Sequence, residues 1–267
     1  MIHCTFPGRH GDLLWALPTL RALHDSGFGP VDLRIAGEFS GLVELLERQP
    51  YLGRVYADPR WGMSQGWQPP IEDDVISPYE KVLHLGYQRW PERVLPEEPY
   101  LQAVKQLGHV IEPLDLKTPW ITVPSAPGTG DPLVVGFTEA WFELKYGLVC
   151  CLNQVEIPGI PKGHILTPHG SRWVTEAGFA GSSWLQAAEA IADATLMLAD
   201  CSSLHVLAVA IGTPVVIMEP MEARHNPIFY PVGMHGPQVT MVLGLDGQPT
   251  FDARHTAATL KEVICAR

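Results

Sequence analysis

The chain has 267 residues, 46% of them hydrophobic and 18% charged, with a formal net charge of −11 at pH 7. That length suits two domains of about 100–150 residues each, and the composition excludes a disordered or fibrous chain. Up to Gly130 there are 11 Lys and Arg against 16 Asp and Glu, and from Asp131 onward 7 against 13. Neither half carries the basic excess of a protein that lives on nucleic acid or anionic membrane.

Residues 2–6 form a short apolar, β-favouring run, followed by a glycine-containing turn over 8–11. Residues 12–25 then place Leu13, Leu17, Leu20 and Leu23 at helical spacing, and Pro18 inside the pattern predicts a kinked or short helix. A strand is expected over 31–36 and a helix over 40–48, capped by Ser40. Residues 54–57 and 81–85 read as further strands, and 100–107 as a helix closed by Gly108. This βαβα rhythm implies a mostly parallel sheet with helices on its faces.

A Pro- and Gly-rich stretch, PSAPGTGDP at residues 124–132, interrupts the rhythm. It is the expected linker between a first domain, residues 1–123, and a second, residues 133–267. Strands are then expected over 133–137, 164–167, 196–199 and 214–218. Helices are expected over 141–151, 183–194, 203–211 (stopped by Gly212) and 256–264, the last packing in its own domain or back on the first. The expected fold class is α/β: two Rossmann-like, doubly wound domains facing each other across a cleft, with ligands at the carboxyl ends of the strands.

Cys4, Cys150, Cys151, Cys201 and Cys265 are odd in number and follow no metal-ligand spacing, which points to reduced thiols in a cytoplasmic setting. No basic segment followed by an apolar core opens the chain, so no signal peptide is expected. The apolar runs fall far short of the roughly 20 residues that a bilayer span needs.

Two segments carry the chemistry. GRHGDLLWALPTLRAL at 8–23 places Asp12 at a helix entrance beside Arg9 and His10. LADCSSLHVLAVAIGTPVVIMEP at 198–220 places Asp200, Cys201, Ser202 and Ser203 at another, followed by His205. Backbone N–H groups left unpaired at a helix start attract phosphate, and hydroxyls add donors. Each feature also has a purely structural reading: a capping aspartate, a serine cap, a packed histidine. The glycine patterns of a dinucleotide site and a P-loop are absent, as are HExxH, paired CxxC and GxSxG. Dehydrogenase, P-loop kinase, zinc hydrolase and α/β-hydrolase therefore lose weight.

GDLLWALPTLRAL and ADCSSLHVLAVAIGTPVV, in that order and in opposite halves, resemble the two signature stretches of the GT-B glycosyltransferases related to the bacterial ADP-heptose:lipopolysaccharide heptosyltransferases. Together they cover 31 residues. The resemblance implies inverting, metal-independent transfer of a sugar from a nucleotide-diphosphate donor held by the C-terminal domain. No cofactor is implied beyond that co-substrate. It assigns Asp12 as the base that takes the acceptor hydroxyl's proton, the Asp200–Ser203 turn as donor cradle, and His205 as a partner of phosphate or departing sugar. A helix N-terminus favours the charged carboxylate and so weakens it as a base. Thr138 and Lys145, after the first strand of the second half, are the candidates for the leaving diphosphate, and Glu219 for a ribose or sugar hydroxyl. The chain departs from the pattern at Ser202, where the family has glycine, and at Glu219.

Two loops of the first half interleave aromatics with arginine, YADPRWGMSQGW at 56–67 and YQRWPER at 87–93. Arg60, Trp61, Arg89 and Trp90, with Arg9 and His10, are the candidate acceptor side: indoles for stacking and guanidinium groups for phosphate. Loop anchoring by buried tryptophan is the alternative. The acceptor is a glycan, another hydroxyl-bearing molecule or a hydroxymethylated DNA base of the kind some phage enzymes modify. A non-catalytic nucleotide-sugar binding module and a nucleotide-sugar epimerase are the competing functions. No protein partner is expected.

Overall fold

A computed structural model describes residues 2–62, 81–86, 96–124, 133–136, 172–174, 183–194, 196–199, 203–220 and 238–243. The chain divides into two units, the first running to Thr122 and the second beginning at Val123.

The first unit contains β1 (Ile2–Phe6), α1 (His10–Leu23), β2 (Val31–Ala36), α2 (Val43–Leu46), β3 (Leu52–Asp58), β4 (Lys81–His84) and α3 (Glu97–Leu107). Its four strands are parallel, in the order β3-β2-β1-β4. All five residues of β1 are buried, as expected where helices and loops cover both faces of a parallel sheet. Period-2 alternation puts Ile2, Cys4 and Phe6 on one face and His3 and Thr5 on the other. The register sets His3 beside Asp32, Thr5 beside Arg34 and His84, and Ala36 beside Asp58, so that second face carries a polar row. Two pairs form within the row. Thr5 Oγ1 and His84 Nδ1 share a hydrogen bond of 2.9 Å, and the buried Arg34 guanidinium is ion-paired with the buried Asp58 carboxylate.

Helix α1 runs unbroken through Pro18. Proline has no N–H to give the carbonyl four residues back, and a buried unpaired carbonyl costs about 1–3 kcal/mol. The Trp120 indole Nε1–H donates to that carbonyl, Leu14 O, at 3.0 Å. Trp120 belongs to a segment that runs antiparallel to α1. The Glu112 N–H donates to Ser26 Oγ at 2.8 Å, and the Arg21 guanidinium donates to the carbonyls of Asp115, Thr118 and Pro119. Beyond Trp120, the Gln49 amide accepts the Thr122 N–H at 2.8 Å and donates to the Thr122 carbonyl at 3.2 Å. The free edge of β4 is covered by amide side chains of α3. Gln106 accepts the His84 N–H at 2.9 Å and donates to the His84 carbonyl at 2.8 Å, while Gln102 accepts the Gly86 N–H at 2.7 Å.

The second unit contains β5 (Leu133–Gly136), β6 (Arg172–Val174), α4 (Trp184–Asp193), β7 (Leu196–Ala199), α5 (Ser203–Ile211), β8 (Val215–Pro220) and β9 (Gln238–Leu243). Its five strands are parallel, in the order β6-β5-β7-β8-β9. Ser183 caps α4 with a reciprocal box: its Oγ accepts the Gln186 N–H at 3.3 Å, and Gln186 Oε1 accepts the Ser183 N–H at 3.1 Å. Gly212, at φ 91°, ends α5, and Thr213 Oγ1 then donates to the Ile191 carbonyl of α4 at 2.8 Å.

The elements differ from the sequence reading in places. In place of one helix over 40–48 there is a 3-10 turn, Gly37–Leu42, running into the four-residue α2, so Ser40 lies inside that turn and caps nothing. Strands β6 and β9 were not expected. The helices over 141–151 and 256–264 and the strand over 164–167 lie outside the described residues.

Candidate functional site

In the first sheet the strand order reverses beside β1. The chain leaves β1 toward β2, whereas β4 lies on the other side, and such reversals open a crevice at the carboxyl ends of the strands. The β1–α1 turn stands at that end. Arg9, extended and exposed, is the N-cap of α1, and its carbonyl accepts the first helical bond, from the Leu13 N–H at 2.8 Å. Asp12 is the third helical residue and half-buried, and its Oδ2 accepts the Arg9 N–H at 3.3 Å. That contact is one arm of a capping box. A guanidinium has no acceptor with which to complete the other arm. Asp12 thus braces the turn while its carboxylate stays partly exposed at the strand end.

His10, half-buried, sets its ring edge-on to Phe39 with centroids 4.9 Å apart. Burial lowers its pKa to about 4, so the imidazole is neutral at pH 7 and Arg9 carries the positive charge of this turn. Phe39 lies in the turn after β2, whose first residue, Gly37, donates its N–H to the Trp61 carbonyl at 2.9 Å. A Cβ at Gly37 would stand 2.7 Å from the Asp58 carbonyl oxygen, so only glycine permits this approach. The loops after β1, β2 and β3 therefore meet at one edge, through His10 against Phe39 and Gly37 against Trp61.

Asp58, the last residue of β3, organises the third of these loops. Its Oδ1 accepts the Arg60 N–H at 2.9 Å and Arg60 Nε at 3.1 Å, in addition to the pairing with Arg34. Burial pushes this carboxyl up, but the hydrogen bonds from Arg34 and Arg60 outweigh it and hold its pKa at about 2. The Arg60 head is shared with this internal carboxylate, although the side chain is 45% exposed. Trp61 is corrected: at 1% exposure its ring is a core group that anchors the loop, not a face for stacking on an acceptor. Arg89 and Trp90, after β4, lie outside the described residues. The sequence pattern ends this strand at Ala57, whereas it extends to Asp58. Its partner Arg34, a basic residue inside a strand, was the signal available.

In the second unit the order reverses between β5 and β7. Thr138 follows the last residue of β5 by two positions, and Asp200, Cys201 and Ser202 follow β7 in the sequence. Both candidate donor segments therefore leave the two strands that flank the switch point. Thr138, Lys145, Asp200, Cys201 and Ser202 themselves lie outside the described residues. Ser203 opens α5 and is 7% exposed. His205 is 2% exposed on a helix whose residues from Ser203 through Ala210 are all buried. Glu219 is the penultimate residue of β8, paired with Val242, at the carboxyl end of that strand. The strand continues two residues past its expected end.

No family model matches the sequence, and no curated protein does. Solved structures do match. A glycosyl transferase family 9 structure from Veillonella parvula is 12% identical, with a TM-score of 0.62 over 100% of this chain and 97% of that one. The E. coli ADP-heptose lipopolysaccharide heptosyltransferase II is 14% identical, with a TM-score of 0.60 over 99% of this chain and 98% of its own. The E. coli heptosyltransferase WaaC, solved with ADP, is also 14% identical, with a TM-score of 0.57 over 98% and 99%. The likeness is one of fold, a mixed α/β architecture built on parallel sheets. No helix among the described residues is long and apolar enough to cross a membrane.

Proposed function

We propose that this chain is a heptosyltransferase-like glycosyltransferase that moves a sugar from a nucleotide-diphosphate donor to an acceptor hydroxyl. The observation that carries this reading is topological. In each unit candidate residues leave strands that flank the reversal of strand order, Arg9, His10 and Asp12 after β1, Thr138 after β5 and Asp200 to Ser203 after β7, the place where α/β sheets bind ligands. Similarity in fold to an enzyme solved with ADP adds the ligand class.

In this reading the first unit takes the acceptor and the second the donor. The Asp12 carboxylate removes the acceptor hydroxyl's proton as that oxygen attacks the anomeric carbon. The new C–O bond forms on the face opposite the bond to the diphosphate, which breaks, so a single displacement inverts the anomeric centre. The leaving diphosphate carries away the bonding pair and is stabilised by the N–H groups and hydroxyls of the Asp200–Ser203 turn and by Lys145, without a metal ion. Thr138 and Glu219 hold the nucleotide and sugar hydroxyls, and Arg9 and the neutral His10 orient the acceptor. A hydroxyl-bearing glycan is the acceptor that fits the acidic chain best.

The test pairs binding with turnover. ADP, UDP and GDP and their sugars are screened for a rise in melting midpoint, which only binding to the folded state produces. Asp12→Asn keeps an oxygen for the Arg9 N–H but loses the base. ADP is expected to raise the midpoint of both proteins equally, while sugar transfer or slow donor hydrolysis falls roughly 10²–10⁴-fold in the variant. A panel in which no diphosphate shifts the midpoint, or a variant that turns over at the parental rate, ends this reading.

A further inference from the structure

We infer that Trp120 is a positioning residue for the Asp12 turn, acting through the Leu14 carbonyl that Pro18 leaves without its helical donor. Its catalytic consequence rests on the glycosyltransferase reading above. The first two turns of α1 carry Asp12 and end where the bond from residue 18 to Leu14 is missing. Proline is where helices bend, so α1, though continuous, is held least by its own backbone bonds between these turns and the rest. Leu14 is 0% and Trp120 1% exposed, so the indole N–H, at 3.0 Å, takes the place of the missing donor where water has no access.

The indole is itself fixed. The Trp120 carbonyl accepts the Tyr51 hydroxyl at 2.6 Å, its ring lies against Trp15 with centroids 5.6 Å apart, and Arg21 holds the carbonyls of the residues just before it. Trp120 therefore ties the Leu14 carbonyl to a rigid part of the unit. Asp12 sits two residues from the held carbonyl, so any swing of the first two turns carries its carboxylate with them. A misplacement of about 1 Å at a reacting group costs on the order of 10²-fold in rate.

The experiment uses Trp120→Phe, which keeps a ring and removes the N–H. It adds Pro18→Ala, which returns a backbone N–H to Leu14, and the double variant. Amide hydrogen exchange over residues 10–17 is read in all four proteins, together with ADP affinity and turnover of ADP-heptose as the probe donor. Exchange in Trp120→Phe is expected to speed up about 10-fold or more over this stretch and to return close to the parental rate in the double variant. Turnover is expected to fall roughly 10–100-fold in Trp120→Phe, with ADP affinity within about 2-fold, and to recover in the double variant. Parental exchange in Trp120→Phe overturns the proposal, as does a double variant that regains slow exchange without regaining turnover. If the parent protein fails to turn over ADP-heptose, the donor assignment fails, and the exchange data still decide whether Trp120 holds these turns.

Discussion

Removing the Asp58 carboxylate is the perturbation with the largest consequence for the candidate acceptor edge. Asp58 and Arg34 are 0% and 1% exposed, so Asp58→Ala takes its paired carboxylate from a guanidinium inside the first unit. Breaking a buried pair from one side costs about 3–5 kcal/mol, because the orphaned charge keeps its desolvation penalty. The lost Arg60 contacts add little, since that side chain is 45% exposed. At a urea slope near 2 kcal/mol/M, a loss of about 4 kcal/mol moves the unfolding midpoint by roughly 2 M. Tryptophan emission reports it, because the Trp61 N–H donates to the Asp58 carbonyl at 3.1 Å and its ring is in the core. Replacing both partners, Arg34→Met with Asp58→Leu, removes the charges together and is expected to restore most of the stability. A single variant that loses under about 1 kcal/mol, or a double variant no better than the single, refutes the view that this pair is held by mutual compensation.

Acid is expected to weaken the first unit through His3. Burial, assisted by Arg34, His84 and Arg54 and opposed by Asp32, lowers its pKa from 6.5 to about 4. A base with a depressed folded-state pKa resists protonation in the folded form, so stability is full above pH 6.5 and declines as the pH falls toward 4. The loss is about 3 kcal/mol, and it should disappear from the pH dependence of the urea midpoint in His3→Gln. Gln106→Leu strips both amide contacts from the β4 edge at His84. It should cost about 1–3 kcal/mol and promote edge-to-edge association, seen as higher-mass species in size-exclusion chromatography.

What could be read from the sequence was whatever local pattern decides. Ser203–Ile211, closed by Gly212, is continuous in its apolar character and has a stop signal, and it is found as read. The same holds for Leu196–Ala199. The helix around Ser40 was misread because the segment's apolar residues, Phe39, Leu42, Leu45 and Leu46, also fit a tighter turn that tucks against β3. Pro18 was expected to shorten or kink α1, and the helix runs through it because a tryptophan 102 residues later supplies the missing donor. At the site, Asp12 was legible as a carboxylate at a helix entrance. That Asp58 is a buried counter-ion was not, and the choice between stacking and loop anchoring for Trp61 stayed open, because both depend on the register of β2 against β3 and on the close approach at Gly37. Pairing across strands has no local signature, and the three-residue β6 carries too little pattern to be seen.

The amide of Gln49 grips both backbone groups of Thr122, much as a neighbouring strand would. The natural joint between the halves of this chain therefore falls after Thr122, not at Gly108 where the last helix of the first half stops. A graft that exchanged C-terminal halves among relatives would have to carry the stretch from Glu112 to Thr122 with the front half. Cut earlier, the front half would give up the Trp120 donor, leaving a gap along its first helix.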